Sequence, residues 1–144
     1  MNQPIHKQLR EIRRDQHRLQ KHVAAALGVN HATYGSWERG QASPFLHHTD
    51  IWATELHHQL VATVDGAVID TLVNFVAALP VLRRGRGLTQ EGLGRRTRRG
   101  VTAVHGVERQ VQAGGGLLLS TVEWYVAGLD YGIGLAPAVL ERAA

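Results

Sequence analysis

QKHVAAALGVNHATYGSWERG, residues Gln20 to Gly40, reads as two short helices joined by a tight turn. Val23, Ala24 and Leu27 recur at i, i+1 and i+4, which lines up one apolar stripe on a first helix. Gly28 follows at once, and glycine accepts the left-handed conformation that ends a helix. Asn30 is a good N-cap, because its side-chain oxygen can take an otherwise unpaired amide, so a second helix is expected from His31 to about Arg39. Tyr34 and Trp37 lie on one side of it and should point inward. His31, Ala32, Thr33 and Ser36 fall on the other side, and a small, polar outer face is what a helix needs to lie in a major groove.

The pattern returns later in the chain. A shift of 70 aligns Leu9 with Leu79, Arg13-Arg14 with Arg83-Arg84, Gln20 with Gln90, and Glu38-Arg39 with Glu108-Arg109. Ile12/Leu82, Val23/Leu93 and Trp37/Val107 match in kind. After a three-residue insertion around Ala113–Gly116 the shift becomes 73 and pairs Leu46/Leu119, Asp50/Glu123, Trp52/Tyr125 and Leu56/Leu129. A register kept on both sides of a loop implies two copies of one helical unit.

Both copies resemble the Cro/repressor-type (XRE) helix-turn-helix family. The first carries Gln20, Val23-Ala24, Leu27-Gly28-Val29, Glu38-Arg39-Gly40 and Pro44-Phe45-Leu46. The second carries Gly87-Leu88-Thr89-Gln90, Leu93 and Glu108-Arg109. The resemblance spans about residues 4–60 and 74–136. Departures occur at His17-Arg18-Leu19 and Thr49 in the first copy, and at the Thr97-Arg98-Arg99-Gly100 turn in the second. It implies a mainly all-α chain: two lambda-repressor-like bundles in tandem, 1–66 and 67–144, related by a pseudo-twofold. By the same resemblance the chain is a sequence-specific DNA-binding regulator, most simply a phage or mobile-element repressor. Its recognition helices would lie near 31–39 and 101–109.

Size and composition agree with this. A chain of 144 residues, 44% hydrophobic, accommodates one ordinary domain or two small ones. Units of about 60 residues are marginal alone, so the two should pack together. No cysteine is present, so there is no disulfide framework and no thiolate metal site. No signal-peptide core or membrane-length apolar run is evident, and a cytoplasmic location is expected. The net charge is +4. Seven arginines but only Glu91 lie between Arg83 and Arg99, a basic block suited to phosphate.

Elsewhere, residues 4–15 should form a first helix with Ile5, Leu9 and Ile12 as its core stripe. Arg13-Arg14 would reach phosphate or simply solubilise. Pro44 to Leu56 should hold a short fourth helix and then a fifth, with Leu46, Trp52, Ala53 and Leu56 inward. Leu60–Val64, bounded by Asp65-Gly66, reads as a short strand, matched by 132–136, which predicts an antiparallel pair. Ala67 to Leu79 reads as a largely buried helix through Val68, Leu72, Phe75, Val76 and Leu79, interrupted at Pro80. Gly114–Gly116 should be a flexible loop, and Glu141–Ala144 a frayed tail.

The candidate DNA-contacting residues are Gln20, Asn30, His31, Ala32, Thr33 and Ser36 in the first copy. In the second they are Gln90, Arg95, Arg98, Val101, Thr102, Ala103 and His105. Thr33 and Thr102 can touch a thymine methyl and His31 can donate to a guanine acceptor, but none of these makes the bidentate arginine–guanine pair that would name a base. Glu38-Arg39 and Glu108-Arg109 read as braces, and Trp37, Trp52 and Trp124 as packing. His47-His48 and His57-His58 lack a carboxylate partner at metal-ligand spacing, so no metal and no cofactor is expected. No phosphate loop or nucleophile–His–carboxylate relay points to catalysis. The partners implied are a double-stranded DNA operator and, beyond it, a second copy of the chain or a protein partner, without a membrane. A different class remains open: an antitoxin or antirepressor that uses one degenerate unit to grip a protein, with exposed Ile51 and Trp124.

Overall fold

In the computed structural model residues 3–138 are described, so the tail expected at 141–144 lies outside the described residues. The first half begins with α1 (Ile5–Asp15), which buries Ile5 and Leu9 completely and packs Ile12 at the edge of the core. α2 (Gln20–Leu27) ends at Gly28, whose φ of 70° is the left-handed stop expected there. α3 (His31–Glu38) starts under Asn30, whose Oδ1 accepts the Ala32 N–H at 2.7 Å. Tyr34 and Trp37 point inward as the spacing predicts.

Pro44–Leu56 holds one helix, α4 (Leu46–Glu55), and not two. The chain stays extended through Phe45 because its neighbours bond across the molecule. The Leu46 N–H donates to Leu117 O at 2.7 Å, and the Leu119 N–H donates to Pro44 O at 2.8 Å. Helix can therefore begin only at Leu46, and no proline or glycine interrupts it afterwards.

The segment after α4 differs most from expectation. β1 (His58–Val64) is followed by β2 (Ala67–Thr71), where a buried helix was expected. Asp65 and Gly66 have φ of 49° and 81°, so they form a two-residue turn that sends the chain back antiparallel. β-Branched Val68, Ile69 and Thr71 then suit a strand, and Val68 and Ile69 are exposed on this sheet edge. Helix resumes as α5 (Leu72–Ala77), capped by Thr71 Oγ1 accepting the Asn74 N–H. α6 (Leu79–Gly85) is a fresh start with Pro80 in its first turn.

The second half continues with α7 (Gln90–Thr97), α8 (Val101–Gln112), α9 (Leu119–Gly128) and β3 (Gly132–Pro137). α8 runs beyond the expected 101–109, so part of the insertion is extra helix. The glycine loop is tied back rather than loose: the Gly115 N–H donates to Gln110 O, and Gln110 Nε2 donates to Gly116 O. Among the described residues the sheet has three strands, β2-β1-β3, one more than the expected pair, all antiparallel neighbours. Within it Val61 faces Gly134, and outside it Phe45 faces Leu118; both pairs are 73 positions apart. A single apolar core draws on both halves, from Ile5 and Trp52 to Leu93 and Leu129. Within the described residues no helix is long and apolar enough to cross a membrane.

Candidate nucleic-acid interface

Behind α3 lies a buried polar knot. The Glu38 carboxylate, fully buried, accepts Arg13 Nε at 2.6 Å, Arg13 Nη2 at 3.0 Å, Tyr34 OH at 2.5 Å and Gln20 Nε2 at 2.8 Å. Arg13 also donates to Arg18 O, which fixes the turn into α2. Burial alone would raise the Glu38 carboxyl; hydrogen bonds from Arg13, Tyr34 and Gln20 outweigh it and hold the group below the ordinary carboxylate range. Burial and the adjacent carboxylate push the Tyr34 phenol up, so it stays a donor.

The same knot stands behind α8. Glu108 accepts Arg83 Nε at 2.7 Å, Arg83 Nη2 at 3.1 Å, Tyr125 OH at 2.8 Å and Gln90 Nε2 at 3.3 Å. Its carboxyl is likewise held low, against burial, by Arg83, Tyr125 and Gln90. The phenol comes from different elements in the two halves. Tyr34 of α3 has Val104 as its counterpart, and Tyr125 of α9 has Trp52. The tyrosine sits on α3 in one half and on α9 in the other, and its hydroxyl reaches the carboxylate from either direction.

Three sequence expectations are corrected by this knot. Arg13 is buried and pairs inward, so it neither reaches phosphate nor solubilises; Arg14 is exposed. Arg83 drops out of the basic block for the same reason. Glu38 and Glu108 do brace their units, but through Arg13 and Arg83 rather than the adjacent Arg39 and Arg109, which are exposed. The signal for the true pairing was present: arginine and glutamate stand 25 residues apart in both halves of the chain.

Clamped from behind, α3 turns His31, Ala32 and Thr33 outward, all exposed. Gln20 spans the two sides, since its Nε2 is taken by Glu38 and its Oε1 lies 3.3 Å from His31 Nε2. Asn30 is exposed, with Oδ1 engaged as the cap. Ser36 is half-buried and donates back to Thr33 O at 2.7 Å, so it presents less to a partner than the helical wheel implies. On α8, Val101, Thr102 and His105 are exposed and Ala103 is half-buried, with Gln90 at the rim. Arg95 and Arg98 are exposed; Arg95 lies 3.9 Å from Glu91, and Arg98 sits in the left-handed conformation at φ 60°. α7 and α8 come close: a Cβ on Gly94 would stand 2.5 Å from the Gly100 backbone carbon.

Trp37 and Trp52 are core, and Trp124 is half-buried beneath Arg99 rather than exposed; Ile51 is exposed. Among the described residues no group of three or more His, Cys, Asp or Glu side chains could hold a metal ion. The face therefore offers helix-borne hydrogen-bonding groups and arginines. Comparison with protein-family models, curated proteins and solved structures gave no match.

Proposed function

We propose that this chain is a sequence-specific, double-stranded DNA-binding regulator, a repressor, built as a single-chain pseudo-dimer of two helix-turn-helix units. The observation that carries it is the pair of antiparallel crossings, Val61 against Gly134 and Phe45 against Leu118, both 73 positions apart. An antiparallel pair has a local two-fold between its members, and one sequence shift at both crossings supports a single two-fold relating the halves. Duplex DNA has the same symmetry, and two recognition helices about 34 Å apart would enter successive major grooves on one face. The twin carboxylate knots fit this reading, since each makes its helix a rigid projection of the core.

In this reading α3 reads bases through His31, Ala32 and Thr33, and α8 through Val101, Thr102, Ala103 and His105. Because the two faces differ, the preferred operator is asymmetric. Repression follows from occupancy of the site.

Exposed Phe45, Ile51, Val68, Ile69 and Val73 favour a second reading, a module that docks on a protein as an antitoxin or antirepressor does. Titration of a mixed-sequence duplex at rising salt separates the two. The DNA reading requires affinity to fall steeply on the logarithmic scale, by about 0.9 per phosphate contacted. Absence of duplex binding at low salt would leave the protein-docking reading.

A further inference from the structure

The two halves differ most in charge at the end of the helix before the recognition helix. In the first half Ala25, Ala26, Gly28 and Val29 occupy the end of α2 and the turn. At the equivalent positions of α7 and its turn stand Arg95, Arg96, Arg98 and Arg99, all exposed. Two are held in place: Arg96 donates to Asp130 Oδ2, and the Arg99 guanidinium lies 5.6 Å from the Trp124 ring centre. Arg95 has only the long contact to exposed Glu91, and Arg98 has no carboxylate within 4 Å among the described residues.

Arg98 stands at φ 60° where the first half has glycine at φ 70°. A side chain there is strained, so the position works against stability and in favour of a charge. The turn adjoins the N-terminus of α8, the end of a recognition helix that approaches base edges, so cations there would flank the groove walls. α8 itself opens on Val101 where α3 opens on His31, one hydrogen-bonding group fewer at the leading end.

We propose a division of labour, which rests on the DNA-binding reading above. The second half is the anchor, gripping duplex phosphates through Arg95, Arg96, Arg98 and Arg99, and the first half supplies most of the base discrimination. Each phosphate contact changes the salt slope by about 0.9 and, between 50 and 200 mM salt, changes affinity about 3.5-fold.

The test uses the full chain and two duplexes, the sequence it prefers and a scrambled one. Arg95→Ala, Arg96→Ala, Arg98→Gly and Arg99→Val together copy the first half's residues into the second. This variant should lower the salt slope by between about two and about four units and weaken both duplexes alike, leaving their ratio unchanged. His31→Ala with Thr33→Ala should do the reverse, collapsing the ratio at an unchanged slope. Arg98→Gly alone guards against misfolding: it should raise the melting temperature, and its loss of affinity between 50 and 200 mM salt should be about 3.5-fold smaller than that of wild type. A wild-type chain that binds with a steep slope, left unaltered by the four-arginine swap, would overturn the anchor while sparing DNA binding. A swap that changes the ratio instead of the slope would make these arginines base readers. No binding by wild type would end both readings.

Discussion

Glu38→Gln removes the negative charge that compensates a buried guanidinium. Arg13 is 9% exposed at its side chain and Glu38 is 0% exposed. Glutamine keeps the volume, so no cavity forms, but every group around the carboxylate is a donor: Arg13, Tyr34 and Gln20. The amide oxygen can satisfy only part of them, and the amide N–H₂ must face another donor. Breaking one side of a buried pair costs about 3–5 kcal/mol, and retention of one acceptor places this variant near about 3. A domain of this kind has about 5–15 kcal/mol in all, so this is a large share. At about 3 °C per kcal/mol for a chain of this size, the melting temperature should fall by about 10 °C. Urea unfolding followed by tryptophan fluorescence measures the free-energy loss, and a thermal melt the shift. The second knot is looser, with Gln90 at 3.3 Å against 2.8 Å for Gln20, so Glu108→Gln should cost less. A Glu38→Gln loss below about 1 kcal/mol, the value of an exposed pair, would refute the claim that the knot is what holds α3.

The other predictions concern pH and backbone. Glu38 and Glu108 titrate below their ordinary 4.5 in the folded chain, so their stabilising contribution is complete above that value and is lost as pH falls through the lower folded value; urea midpoints should drop with acid, and less so in Glu38→Gln with Glu108→Gln. Asp50 and Glu123 are equivalent positions whose carboxyls burial raises, so charge on them opposes folding above the ordinary range; Asp50→Asn with Glu123→Gln should raise the urea midpoint at pH 7, and a fall would show unseen favourable partners. Gly94→Ala drives a Cβ into the Gly100 and Val101 backbone and should cost about 1–3 kcal/mol by thermal melt, whereas the first half carries Ala24 at the same place. Gly66→Ala places a methyl at φ 81° in the β1–β2 turn and should cost about 1 kcal/mol; no change would mean that the hairpin adds nothing to stability.

The helices that form the candidate interface were legible because local chemistry decides them. Gly28 stops α2, Asn30 starts α3, and Tyr34 and Trp37 set the buried side. Those signals act over a turn or two, and the structure follows them. The β1–β2 hairpin was misread although its turn was visible, because Val68, Leu72, Phe75 and Val76 also fit a helical stripe. Two-residue turn geometry at Asp65-Gly66 and pairing with β1 overrode that periodicity. The knot partners were hidden for a different reason. Arginine at 13 or 83 looks like any surface charge until a carboxylate 25 residues away folds over it, and only the recurrence of that spacing in both halves marks it. Ser36 shows the limit of a helical wheel, since its hydroxyl turns back to Thr33 O. Which exposed groups touch a base depends on a partner, and sequence spacing alone says only which are available.

Selection of bound sites from random-sequence duplex DNA with the intact chain is the most direct test. The account predicts enrichment of two unlike half-sites with centres about 10 base pairs apart, one sharply defined and one weakly, bound by one chain per duplex, with the sharply defined half-site lost in His31→Ala/Thr33→Ala. Enrichment of no sequence, or a bound complex that needs two chains per duplex, would contradict the paired-unit account.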